Sequence, residues 1–288
     1  MILGVDLGNY AVKTSKEVIF PSKCTKAANI LSSSPVLTEE GKIYIGEGSF
    51  DTEYRKVKKA HLRTLFLYAV ALSSADLSNK VVVGLPISQF QQEKDELKNI
   101  LLPQRINTIG VNGISRKICI DDIEVYPEGI GAITGSEYEG IVIDIGGRTT
   151  DVCLVSDHDG NKKVKNPYSI AKGTLNLYSD FIKAINSKYG LDLSPDDADR
   201  ILKKGLRVDG DNVDCSFAIE IFRQYVEELV NYLQVEYSLR TQEVLLIGGG
   251  SQLLYKALKN RIPGARLADN AVFANAVGFR KVGEQLWL

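Results

Sequence analysis

The stretch Gly4-Val5-Asp6-Leu7-Gly8-Asn9-Tyr10-Ala11-Val12-Lys13 has a counterpart in mid-chain, Val142-Ile143-Asp144-Ile145-Gly146-Gly147-Arg148-Thr149-Thr150-Asp151-Val152. Each reads as an apolar strand, then Asp-apolar-Gly, then small or polar residues, then a returning strand. They stand half a chain apart and form an internal repeat. A tight hairpin leaves backbone N–H groups unpaired. Glycine lets that backbone approach a ligand closely, and successive N–H groups make an anion-binding nest. An aspartate at the strand end can orient the waters of a magnesium ion, which usually keeps several of them. Two such hairpins facing each other would hold the β- and γ-phosphates of a nucleoside triphosphate from both sides. Lys13 would reach a phosphate as a point charge, and Thr149 and Thr150 would offer hydroxyl donors.

A third element, Leu246-Ile247-Gly248-Gly249-Gly250-Ser251, follows a strand at Glu243–Ile247. Three glycines before a helix suit a nucleoside packed on bare backbone, with Ser251 as the expected helix cap. Between these landmarks the hydrophobic period changes repeatedly. Met1–Val5, Glu17–Phe20 and Lys42–Gly46 read as extended, and Ser32–Pro35 as a loop. Residues 55–75 turn helical, with Leu62, Leu65, Phe66 and Ala69 on one face. Lys80–Leu85 is a buried strand, and a polar helix follows near 88–101. Two strands are expected around 106–120 and another at Ile123–Tyr126. Pro127 then opens a short helix containing Gly129 and Gly131. Strands at Gly140–Ile145, Thr150–Val155 and Lys162–Ile170 follow, the last two joined by a turn at Asp157–Asn161. Helices are expected near 174–188, 194–204, 216–239, 251–260 and 271–283. Ser194-Pro195-Asp196-Asp197 is a good helix start and Gly205 a good stop.

In motif order the chain resembles the actin superfamily of actins, heat-shock chaperone ATPases, sugar kinases and bacterial actin-like filament proteins. Residues 6–13 and 144–151 have the form of its two phosphate loops, and 246–251 that of its adenosine loop. Pro127-Glu128-Gly129 and Asn270–Gly278 resemble its two connecting segments. The likeness covers nearly the whole chain and is nearest to the ParM and Alp kind of plasmid-segregation protein. It implies an α/β, actin-like fold (a duplicated ribonuclease-H-like unit) with two lobes around a nucleotide cleft. Residues 1–134 with 272–288 would form the first lobe, and 135–271 the second.

The resemblance also implies roles. Asp6 and Asp144 would orient hydrated magnesium. Amides around Gly8, Asn9 and Tyr10, and around Gly146, Gly147 and Arg148, would bind phosphate oxygens. Glu128 would place the water that attacks the γ-phosphate, or else serve as an acid at a helix start. Asp151 would assist that water or close its hairpin. Gly248 and Gly249 would face the nucleoside, with Gly250 and Ser251 completing that nucleotide-binding loop, and Gly173 would line the cleft. Arg200, Lys203 and Lys204 would touch base or ribose, or form a solvated helix end that favours the dipole. The basic run Arg55–Arg63, with His61, reads as a solvated face, and His158 as a turn residue.

Composition narrows the classes. A formal charge of −1 offers no pull towards nucleic acid. Four dispersed cysteines and two histidines argue against a zinc site or a disulfide framework. The apolar run Leu65–Leu72 is too short to span a bilayer. The expectation is a soluble cytoplasmic ATPase or GTPase that assembles into a homopolymer and reaches DNA through a DNA-binding adaptor protein, with no membrane contact. The alternatives are a small-molecule kinase of the same fold, or a non-polymerising division or pilus scaffold. The short end Gly283–Leu288 does not suggest a membrane-binding helix.

Overall fold

The computed structural model describes residues 1–28, 32–158 and 161–288. Among them, β1 (Ile2–Leu7), β2 (Ala11–Thr14), β3 (Ile19–Pro21), β4 (Lys23–Thr25), β5 (Val36–Thr38), β6 (Gly41–Phe50), β7 (Ser78–Leu85), β8 (Ile106–Val111) and β9 (Ile114–Pro127) form one mixed sheet. Its order is β3-β2-β1-β7-β9-β8-β5-β6-β4. Helices α1 (Leu62–Ser73) and α2 (Ile87–Leu101) cover one face. The second half holds β10 (Gly140–Ile145), β11 (Thr150–His158), β12 (Asn161–Ile170), α3 (Thr174–Tyr189), α4 (Ala198–Lys204), the hairpin β13 (Leu206–Val208) and β14 (Asp211–Val213), α5 (Ser216–Glu236), β15 (Val244–Ile247), α6 (Gly248–Arg261) and β16 (Ala265–Leu267). Its sheet runs β12-β11-β10-β15-β16. The last helix, α7 (Ala274–Trp287), returns to lie on β1 and β7.

The repeat in sequence is a repeat in structure. β1 pairs antiparallel with β2 and parallel with β7; β10 pairs antiparallel with β11 and parallel with β15. Both central strands are apolar almost without interruption because both faces of each sheet are covered. On β7, Val81 and Val83 point to the core under α1 and α2, while Val82 points to Phe279 and Val282 of α7. On β10, Ile141, Ile143 and Ile145 face α3, α5 and α6, while Val142 meets Ile130 and Ile133 on the other side.

Glycine sets how closely α7 approaches. A Cβ on Gly278 would stand 1.8 Å from the Gly131 carbonyl oxygen, and one on Gly4 would stand 2.0 Å from that of Ala276. Backbone therefore packs on backbone where α7 crosses β1 and the segment after β9.

Several expectations change. The strands foreseen at 106–120 and 123–126 are β8 and one long β9, because β9 pairs with β8 over its first half and with β7 over its second. Pro127 ends β9 instead of opening a helix; a single 3₁₀ turn follows at Gly131–Ile133. The helix foreseen from 55 starts only at Leu62. Lys56–Lys58 is an isolated 3₁₀ turn, and His61 takes φ +58, which breaks the helical path. Helix 194–204 opens as a 3₁₀ turn at Pro195–Asp197, with the Asp197 carboxylate accepting from Ser194 N at 3.1 Å. The final helix begins three residues late and runs to Trp287. His158 pairs with Asn161 in the β11–β12 hairpin, and residues 159–160 of the expected turn lie outside the described residues. Among the described residues, no helix is long and apolar enough to cross a membrane.

Candidate functional site

The two Asp-x-Gly turns meet at a cleft of about 460 Å³. Register fixes what each presents there. In the first hairpin Asp6 lies opposite Lys13, and their side chains form a salt bridge of 2.8 Å. Burial alone would lower the Lys13 pKa, but the Asp6 carboxylate overcomes it and holds it above its ordinary value. In the second hairpin Asp144 lies opposite Asp151, acid against acid. Burial, then the charges of Glu128 and Asp151, push Asp144 up to about 7. Burial and Glu128 push Asp151 up to about 6, against hydrogen bonds from Ser169 and Thr149.

The turns also touch. A Cβ on Gly147 would lie 2.8 Å from both the Cβ and the backbone N of Tyr10, so glycine is what lets the loops close on each other. The second loop is braced from behind. Thr174 N donates to Gly146 O at 3.0 Å and Leu175 N to Gly147 O at 2.8 Å, which ties the start of α3 to the loop. Gly173 permits this close approach, since a Cβ there would stand 2.6 Å from Gly146 O and 2.7 Å from Arg148 N, but it sits behind the loop and does not itself border the cleft.

The glycine run forms the third wall. Gly248, Gly249 and Gly250 all border the cleft. Gly248 takes φ +84, with room for a Cβ denied by the Asp144 carboxylate at 2.4 Å, whereas Gly249 has open space. This conformation starts α6 directly at Gly248, so Ser251 is not its cap. It is buried inside the helix, donating to Ile143 O at 3.5 Å, and does not border the cleft.

Glu128 borders the cleft beside Asp144 and Asp151. Its amide donates to Leu85 O at 2.8 Å, extending the β7–β9 pairing by one step. Asn275 ties this loop to the second aspartate. Its Oδ1 accepts from Gly129 N at 2.9 Å and its Nδ2 donates to Asp144 Oδ2 at 2.7 Å. Asn275 belongs to the Asn270–Gly278 connecting segment, where a lone Asn in a small-residue run carries no signal of its own.

Gly8, Asn9, Tyr10, Lys13, Gly146, Gly147 and Thr149 border the cleft. Thr150 turns away, its hydroxyl bonded to Lys172 O at 3.0 Å and to the Tyr225 hydroxyl. The Arg148 guanidinium reaches out of the cleft to Asp51 O at 3.0 Å. On α4, Lys203 borders the cleft with Asp199. Arg200 instead pairs with Asp197 at 3.0 Å, and Lys204 lies off the wall. Asp199 accepts from both Tyr10 (3.0 Å) and Tyr178 (2.6 Å), joining α4 to the first loop.

The basic run Arg55–Arg63 is not a solvated face throughout. Lys56 is 2% exposed and paired with Glu128. Lys59 donates to the Asn9 side chain, and burial followed by the Lys56 charge lowers its pKa to about 8. Both are drawn inward by acceptors far away in sequence.

Residues 4–131 match the family described as the N-terminal domain of actin like proteins, and 142–260 the C-terminal family of the archaeal actin homologue, MreB-like. An archaeal actin homolog of Thermoplasma acidophilum is 25% identical, with 99% of each chain aligned. A ParM from Clostridium botulinum, solved as a 15-stranded filament, superposes with TM-score 0.83 at 23% identity over 99% of each chain. An archaeal actin homolog solved in complex with ADP does so with TM-score 0.81 at 22% identity, again over 99% of each. The fold is the actin-like fold.

Proposed function

We infer the function from one premise: the chain belongs to the actin superfamily. On our reading it binds a nucleoside triphosphate, ATP or GTP, with magnesium, hydrolyses it, and assembles into a homopolymeric filament. The observation that carries this reading is the convergence of Asp6, Asp144 and Glu128 on one cleft, whose two glycine loops touch at Gly147 and Tyr10. The ADP complex of one relative and the filament of another are consistent with it. The lobes divide as 1–134 with 272–288, and 135–271.

Amides around Gly8–Tyr10 and Gly146–Arg148 bind phosphate oxygens, and Lys13 adds positive charge. Lys203 is the α4 cation within reach of a nucleoside on the cleft wall. Among the described residues no group of three or more His, Cys, Asp or Glu side chains is gathered as a metal-ligand cluster. A hydrated magnesium ion does fit the two buried carboxylates Asp6 and Asp144. When bound, it supplies charge neutralisation on the phosphates. Glu128 orients a water and accepts its proton. The water oxygen bonds to the γ-phosphorus as the bond to the β–γ bridging oxygen breaks, leaving a nucleoside diphosphate and phosphate. Asp151 stands near enough to Glu128 to support that water electrostatically.

Segregation of plasmid or other DNA through an adaptor protein is the role we assign to the filament; a formal charge of −1 suits indirect rather than direct DNA contact. The test is phosphate release and light scattering with magnesium and each of ATP and GTP, followed by electron microscopy. Turnover with concentration-dependent assembly is expected. Flat scattering with both nucleotides would sink the filament reading, and turnover raised strongly by a sugar or acid would favour a kinase.

A further inference from the structure

Lys56 heads the large side chains that are fully buried in this protein. Lysine is almost never fully buried unless paired, and a buried ion pair is seldom more stabilising than a well-packed apolar pair. Stability alone therefore explains it poorly. Its partner is Glu128, and the inference rests on the reading of Glu128 as the residue that places the attacking water.

We propose that Lys56 is a positioning residue for nucleotide hydrolysis, fixing the Glu128 carboxylate for the attacking water. The ammonium donates to Glu128 Oε1 and, at 3.0 Å, to the Gly84 carbonyl oxygen. Gly84 lies on β7 opposite Tyr126, two residues before Glu128, so the lysine clamps the carboxylate to the ends of β7 and β9. The clamp engages one carboxylate oxygen and leaves Oε2 for a water. Space on the strand side is closed as well, because even a Cβ on Gly84 would lie 2.9 Å from Glu128 Cγ and 2.5 Å from the Phe279 ring.

The lysine is itself held. Its amide donates to Gln89 Oε1 at 3.0 Å, Gln89 Nε2 donates to Tyr54 O at 3.1 Å, and Arg55 pairs with the buried Glu93 at 2.6 Å. The 3₁₀ turn is thus docked on α2. The same segment reaches both phosphate loops, through Lys59 on Asn9 and through Asp51 O on Arg148. The same contact sets a positive charge against Glu128, which shares the cleft with the acids Asp144 and Asp151.

The experiment compares Lys56→Met, Glu128→Gln and the double variant, with single-turnover and steady-state hydrolysis of whichever of MgATP or MgGTP is used, titration with a fluorescent ADP analogue, and thermal melts. Misplacing a reacting group can cost about 10²-fold, so Lys56→Met is expected to lower kcat on that scale while ADP-analogue affinity is retained. In the Glu128→Gln background the same change should cost nothing further, since the lysine acts through the glutamate. Should Lys56→Met fail to fold because it strands a buried carboxylate, the double variant against Glu128→Gln decides: equal kcat supports the proposal, and an added loss overturns it. Unchanged kcat in Lys56→Met with a reduced kcat in Glu128→Gln overturns the Lys56 role alone. Unchanged kcat in Glu128→Gln overturns the assignment of Glu128 and the Lys56 role with it.

Discussion

Asp151 stands directly across from Asp144 in the second hairpin, both carboxyls are buried, and both hold protons more tightly than ordinary aspartates. Burial and the neighbouring Glu128 charge together make both carboxylates costly to ionise.

The first prediction is a pH dependence. Asp144 is pushed to about 7 and Asp151 to about 6, from a usual 3.8. A raised acid means the folded state binds more protons than the unfolded one between the two values. This contribution to stability is full below the unfolded pKa and lost as pH rises through the folded one. The nucleotide-free protein should lose melting temperature between about pH 4 and pH 7 on this account, and Asp144→Asn should flatten the decline. An equally steep decline in the variant would contradict the assignment.

Removing the second aspartate should act through the metal. Asp144→Ala is expected to weaken nucleotide binding in the presence of magnesium and to have much less effect in its absence. Calorimetric titration with and without the ion tests this, and normal affinity with magnesium would exclude Asp144 from the site. Asn275→Ala should show a weaker form of the same defect, since Asn275 donates to Asp144 at 2.7 Å.

Glu128→Ala should leave nucleotide affinity nearly intact and slow turnover by about 10²-fold or more, the usual scale for a positioned acid–base group. Filaments, on the proposed reading, should then persist longer after assembly. Phosphate release and the decay of scattering measure the two effects separately.

Gly147→Ala tests the contact between loops. Its methyl would meet Tyr10 at 2.8 Å, so the loops must part. Weaker nucleotide affinity with little change in thermal stability is the expected pattern, and unchanged affinity would show that loop contact is dispensable.

Phe279→Ala tests the underside of the first sheet. The ring is fully buried against Val82, and Gly84 and Gly131 make room for it. A loss of about 3–5 kcal/mol is expected from chemical denaturation.

How much of this was legible in the sequence depended on range. The hairpins at Asp6 and Asp144 and the apolar face Leu62-Leu65-Phe66-Ala69 are local patterns, and each appears where the sequence places it; the glycine run borders the cleft but forms the first turn of α6 instead of a loop before it. The failures are long-range. Lys56 reads as a surface cation because its acceptor, Glu128, is 72 residues away. Ser251 looks like a cap because nothing local announces the positive φ that lets Gly248 begin the helix. Arg200, Lys203 and Lys204 look alike in sequence, and only the rotation of a seven-residue helix puts Lys203 on the wall.

The two hairpins have the same shape, and a cleft between two copies of one shape could accept an elongated ligand either way round. Position for position, however, the residue opposite the first aspartate is Lys13 and the residue opposite the second is Asp151. Geometry is duplicated while charge is inverted. The inversion removes the end-for-end equivalence that duplication creates, so the two sides of the cleft present unlike charge to whatever lies between them.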